Sequence, residues 1–231
     1  MSSPSASRTP LGDCIRAQLA RHGDPERGKG AQAYMKSEMP YRGVDAKGQR
    51  EILRECWKQH PVRSADELRA VAHDLWDNVA FREERYAAQE TLKKYSKFLD
   101  MSDVAFLREM ILSGAWWDHV DHLAKWLCGD LLARYPKEMT AVLKRWIEDE
   151  NLWVRRAAIL SQLAFKAKTD TRLLFSFCER CLEETSFWIR KAIGWALRDY
   201  SKTDPAAVRG FVEKQHGRMA GLTLREASKY I

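Results

Sequence analysis

The sequence has no long apolar run: nowhere in its 231 residues does hydrophobicity extend over the ~20 residues that a membrane-spanning helix needs. Nor does it open on a charged-then-apolar leader, because Met1–Pro10 is polar and rich in serine and proline. Five cysteines are an odd number without the spacing of a secreted disulfide framework, so a reducing, cytoplasmic interior is expected. One CxxC exists, Cys178 and Cys181, but it sits in the amphipathic helical stretch LLFSFCERCLEE with no second pair to complete a zinc site. A strand-like alternation is missing throughout. So is a helical HExxH, which leaves Asp118, His119, Asp121 and His122 as helix-surface hydrogen bonders in place of metal ligands. Neither a metal nor a cofactor is expected.

What is present is positive charge and tryptophan. Lysine and arginine number 39 against 32 acidic residues, a formal charge of +7 that suits a polyanionic partner without requiring one. Nine tryptophans are a heavy load for this length. Most should pack in the core, but several stand beside arginine or lysine, where an indole face can meet a cation or a base.

From Leu11 onward apolar residues recur at helical spacing, and the breaks between segments read as helix starts. Ser64-Ala-Asp-Glu67 reads as a capping box. Ser102, Pro136, Asp170 and Asp204-Pro205 open further segments, giving about a dozen helices joined by short turns. Trp153-Val-Arg155-Arg-Ala157, Trp188-Ile-Arg190-Lys-Ala192 and Thr223-Leu-Arg225-Glu-Ala227 each lie 35 residues beyond the last, and Glu83-Glu-Arg85-Tyr-Ala87 stands two periods upstream of the first. That period predicts an all-α fold, an α-solenoid of HEAT-like repeats in which each helix pair buries its apolar face on its neighbours. One domain over residues 11–231 is expected, after a disordered polar tail over residues 1–10.

The register makes Tyr86, Asp121, Arg156, Lys191 and Glu226 equivalent, so these positions should follow one another from repeat to repeat. Trp117 precedes Asp121 by four residues and Trp195 follows Lys191 by four, which places each pair on one helical face. Two aromatic planes, a carboxylate and a guanidinium suit a positively charged nucleotide. The indoles attract a cationic base, Asp121 stabilises an oxocarbenium-like sugar as that base departs, and Arg156 forks onto a phosphate. The same residues also suit a plainer arrangement, a salt bridge between Asp121 and Arg156.

Three segments resemble a known family. Trp116-Trp117-Asp118-His119-Val120-Asp121, Asn151-Leu-Trp153-Val-Arg155-Arg156-Ala157-Ala-Ile-Leu160 and Lys191-Ala-Ile-Gly194-Trp195-Ala-Leu-Arg198-Asp-Tyr200 are similar to the WWDxVD, NxWxxRxAIL and KAIGWxLREY motifs of the AlkD-like alkylpurine DNA glycosylases, in the same order. The segment Tyr34–Val44 is similar to the family's opening motif, with Gly48-Gln49 standing where the first of two arginines belongs. The resemblance implies a concave basic surface that wraps duplex DNA, and excision of 7-methylguanine and 3-methyladenine without a deep base pocket. It implies Asp121 as the catalytic carboxylate, Trp117 and Trp195 as walls around the lesion, and Arg156 as the backbone-binding arginine. Lys191, with Arg155, Arg190 and Arg198, is expected to attract phosphate. The expected enzyme is a monofunctional glycosylase acting on double-stranded DNA as a monomer, associated with the nucleoid in a bacterium and needing no membrane or obligate protein partner. A non-catalytic DNA-structure-binding paralogue and a protein-interaction scaffold are the alternatives.

Overall fold

A computed structural model describes residues 7–231. Among the described residues the chain is helical, without a β-strand, and no helix is long and apolar enough to cross a membrane. Internal contacts gather into two compact units that meet in sequence between Leu99 and Asp100.

The first unit contains α1 (Pro10–Arg21), α2 (Pro25–Met35), α3 (Ala46–Gln59), α4 (Ala65–Asp77) and α5 (Arg82–Lys94). The disordered tail expected over residues 1–10 lies in its first six positions outside the described residues. Its end is fixed, because Thr9 caps α1 through Gly12 N–H and gives both its N–H and its hydroxyl hydrogen to Asp74 at 2.8 Å. Asp74 is fully buried and also pairs with Arg16, which reaches Glu84 at 2.8 Å. Ile15, Leu68, Leu75 and Leu92 close the core around this network, each worth about 1.5–3 kcal/mol once removed from water. The opening motif has a backbone reason for its glycine. Gly43 sits at φ 81, where L-residues are strained, and its N–H donates to Glu83 at 2.8 Å.

Cys14 and Cys56 form a disulfide between α1 and α3, with Cα atoms 6.0 Å apart. The pair departs from the reducing interior expected from the odd number and spacing of the cysteines. The two are 42 residues apart, and helix packing, not local spacing, brings them together. Cys178 and Cys181 remain free thiols, both buried, and burial pushes Cys181 up to about 12, far from a reactive thiolate.

The second unit holds the repeats. After a 3₁₀ turn at Met101–Asp103 come α6 (Val104–Ser113), α7 (Trp117–His122) and α8 (Gly129–Arg134). A π-helical stretch, Leu123–Cys128, joins the last two into one continuous helix. Then follow α9 (Pro136–Trp146), α10 (Leu152–Leu160), α11 (Thr171–Arg180), α12 (Phe187–Ser201), α13 (Pro205–Gln215) and α14 (Gly221–Ala227). The expected caps at Ser64, Asp170 and Asp204 are in place, and Pro136 opens α9. Ser102 is not a cap. Asp100 takes that role, accepting from Ser102 N–H at 2.8 Å, because the chain begins with a tight turn before α6.

Helix α10 packs against α7 and α12, and α12 packs against α14. The 35-residue period is therefore a contact period. Trp153 meets Trp188 at 5.6 Å between ring centres, Asp199 accepts from Ala164 N–H at 2.8 Å, Arg156 pairs with Asp121, and Lys191 with Glu226. Each of these pairs spans one repeat.

Candidate active site

The short helix α7 presents Trp117 and Asp121 one turn apart, and α10 brings Arg156 to Asp121. Arg156 Nε donates to Asp121 Oδ1 at 2.7 Å and Nη2 donates to Oδ2 at 2.8 Å, a two-pronged pair. Nη1 donates to the backbone carbonyl of Trp188 at 2.5 Å, which ties the guanidinium to the start of α12. Arg156 is 4% exposed and Asp121 9%, so both are buried and the acid has slightly more solvent access than its partner. Burial pushes the Asp121 carboxyl above its ordinary value; the Arg156 hydrogen bonds and charge oppose that shift, and neighbouring Asp118 adds to it.

The sequence assigned Arg156 a phosphate, but here its fork is occupied by Asp121 and Trp188. The physical reason is the period itself: residues 35 apart face each other, so a basic position one repeat after an acidic one closes onto it. The alternative salt bridge weighed for these two residues is the arrangement found.

The tryptophans divide into three groups. Trp116, Trp153 and Trp188 form a three-membered cluster with ring centres 5.1–6.1 Å apart. Trp57 donates to Thr91 and meets Tyr95 edge-on, Trp76 lies under Arg85, Trp126 beside Lys125, and Trp146 is buried. Trp117 and Trp195 differ from all of these. Both are half-buried, and neither has an aromatic or cationic partner among the described residues.

Lys191, on α12 one turn before Trp195, donates to Glu226 at 2.9 Å and retains 38% of its side-chain exposure. Arg198 reaches the same carboxylate. Arg155 and Arg190, expected to add to a phosphate-attracting surface, do structural work instead. Arg155 pairs with Glu184 at 2.7 Å and donates to the carbonyls of Asp149 and Glu150; Arg190 donates to the carbonyl of Glu184. Arg85, their counterpart in the first unit, donates to the carbonyl of Trp76. At three of its recurrences, Arg85, Arg155 and Arg190, this arginine thus ties a repeat helix to backbone carbonyls that precede it. Among the described residues no three His, Cys, Asp or Glu side chains converge as a metal site would need. His119 is fully buried and Asp121 nearly so, which corrects the expectation that they lie on the helix surface.

The residues missed from sequence are Glu226 and Lys229. Glu226 stood in the repeat register, which was the available signal; nothing local showed that it would gather cations.

A family model for "DNA alkylation repair enzyme" matches residues 15–231. A predicted DNA alkylation repair enzyme from Enterococcus faecalis has a similar structure, with a TM-score of 0.83 and 28% identity over 91% of this chain and 97% of its own. AlkD2 from Streptococcus mutans is similar in fold, with a TM-score of 0.51 and 18% identity over 96% of this chain and 97% of its own. No curated protein matches. With an all-helical repeat fold, the WWDHVD, NLWVRRAAIL and KAIGW segments placed on the contacting helices α7, α10 and α12, and a family match over nearly its whole length, the chain belongs to the DNA alkylation repair enzymes.

Proposed function

We propose that the protein is a monofunctional DNA glycosylase that hydrolyses the N-glycosidic bond of cationic alkylated purines in duplex DNA, 7-methylguanine and 3-methyladenine among them. The observation behind this reading is Asp121: a buried carboxylate held by two hydrogen bonds from Arg156, on the same helical face as Trp117.

An N7- or N3-alkylated purine already bears a positive charge, so the C1′–N bond can break with its electron pair moving onto the base, which leaves neutral. No proton donor is required. Positive charge then develops on the sugar, and Asp121 lies in a poorly solvated place where a fixed negative charge acts strongly on it. Water adds to C1′ and loses a proton, leaving an abasic site. Trp117 and Trp195 favour the charged base over neutral ones by about 0.5–2 kcal/mol per contact. Arg156 acts on Asp121 and not on phosphate, keeping the carboxylate oriented and ionised against the effect of burial. Phosphate attraction falls to Lys191.

The test is release of base from a duplex containing 7-methylguanine, scored as abasic sites, by the wild type and by Asp121→Asn. Loss of release in the variant is expected. Equal release by both would leave the Asp121–Arg156 pair as a structural tie between repeats and remove this mechanism.

A further inference from the structure

Glu226 lies on α14, 9% exposed, and three cations converge on it: Lys191 from α12 at 2.9 Å, Arg198 from α12, and Lys229 at 3.1 Å. Three positive groups around one carboxylate leave a surplus of two positive charges. The cations keep substantial solvent access, with side-chain exposures of 38%, 24% and 49%, while the anion beneath them has little. The backbone is shaped for this. A Cβ added to Gly194 would stand 2.5 Å from Glu226 Cβ and 3.2 Å from the Thr223 carbonyl, so the glycine lets α14 approach α12 closely enough for Glu226 to sit under Lys191 and Arg198.

We propose that Glu226 is a positioning residue that gathers Lys191, Arg198 and Lys229 into a preformed clamp for backbone phosphate of duplex DNA. Long cationic side chains lose rotamer freedom when they bind, and a buried anion that fixes them beforehand reduces that loss. The proposal rests on the DNA-binding reading of Lys191 given above and adds the residue that organises it. Lys191, Lys229 and Arg198 also hold the Glu226 carboxyl below the usual glutamate range, so the anion persists at any pH at which DNA binding is measured.

Removing an acidic residue from a DNA-binding surface ordinarily tightens binding, because the net positive charge rises. The clamp predicts the opposite sign. With an undamaged duplex oligonucleotide as probe, Glu226→Gln should weaken binding by about 3–10-fold and lower the slope of log K against log salt by about one. Gly194→Ala, which displaces Glu226 without changing charge, should act in the same direction. In a Lys191→Ala background the Glu226→Gln effect should fall to less than half, since its main route has gone. Tighter binding by Glu226→Gln, or an undiminished effect in the Lys191→Ala background, would overturn the clamp while leaving DNA binding intact. Wild-type protein with no salt-dependent duplex affinity would overturn the DNA reading itself, and the clamp with it.

Discussion

Asp121 with Arg156, and Lys191 with Glu226, occupy the same register one repeat-pair apart, yet the acid comes first in one pair and last in the other. Their environments differ as much as their order. The first is a closed pair, one carboxylate against one guanidinium, both nearly excluded from water. The second is an open cluster in which one carboxylate serves three solvated cations. Burial raises the Asp121 carboxyl, whereas the surrounding cations lower that of Glu226. A single repeat geometry has thus produced a buried, singly partnered anion at one step and a surplus of positive charge two steps on. The difference comes from how many partners each carboxylate has and how much water reaches them.

The largest contrast should appear in stability. Arg156→Ala strands a buried carboxylate and should cost about 3–5 kcal/mol in denaturant unfolding, while Lys191→Ala, which leaves Glu226 with Arg198 and Lys229, should cost less than about 1 kcal/mol. Similar losses for both would erase the distinction between closed and open pairs. In catalysis, Asp121→Asn should slow release of 7-methylguanine by at least about 100-fold in single-turnover assays, with little change in duplex affinity. Trp117→Ala should narrow the preference for a 7-methylguanine duplex over an undamaged one by about 2–30-fold, the range set by about 0.5–2 kcal/mol of cation–π attraction.

The finest test is by pH. The rate should fall on the acidic side as Asp121 takes a proton, with a midpoint above the ordinary aspartate value of 3.8, because its charged form is disfavoured in the folded protein. Glu226 follows the reverse sign. Its lowered carboxyl stabilises the fold above the ordinary value of 4.5, and that contribution is lost as pH falls from there through the folded value. Glu226→Gln should therefore flatten acid unfolding below pH 4.5 without moving the rate midpoint.

Much of this arrangement was legible in the sequence because the period is exact over the last three repeats. A 35-residue register named the four equivalent positions of the second unit, and the structure pairs them across neighbouring helices. Caps at Ser64, Asp170 and Asp204 were legible for a local reason, a polar oxygen three residues or fewer from the amide it accepts from. What was hidden depended on side-chain direction. Arg155 and Arg156 are adjacent, about 100° apart around a helix, and periodicity alone could not say that one ties down a turn while the other meets Asp121. Equally hidden were the Cys14–Cys56 bridge and the Arg16–Asp74–Glu84 network, which join positions 42 to 68 residues apart with no repeat to relate them.

The π-helical stretch from Leu123 to Cys128 begins two residues after Asp121, inside the one helix that presents that carboxylate. Wider winding there sets the phase between the part of the helix that faces Arg156 and the part that anchors Leu131 in the core. A π turn holds about one residue more than an α turn, so trimming a single residue from this stretch would let it relax to ordinary winding while nearly keeping the phase of its two flanks. Elsewhere in a helix such a deletion disrupts the core. At this point it would spare both flanks and leave Asp121 facing Arg156, so the wide turn absorbs one residue of chain length without disturbing how the carboxylate meets its guanidinium.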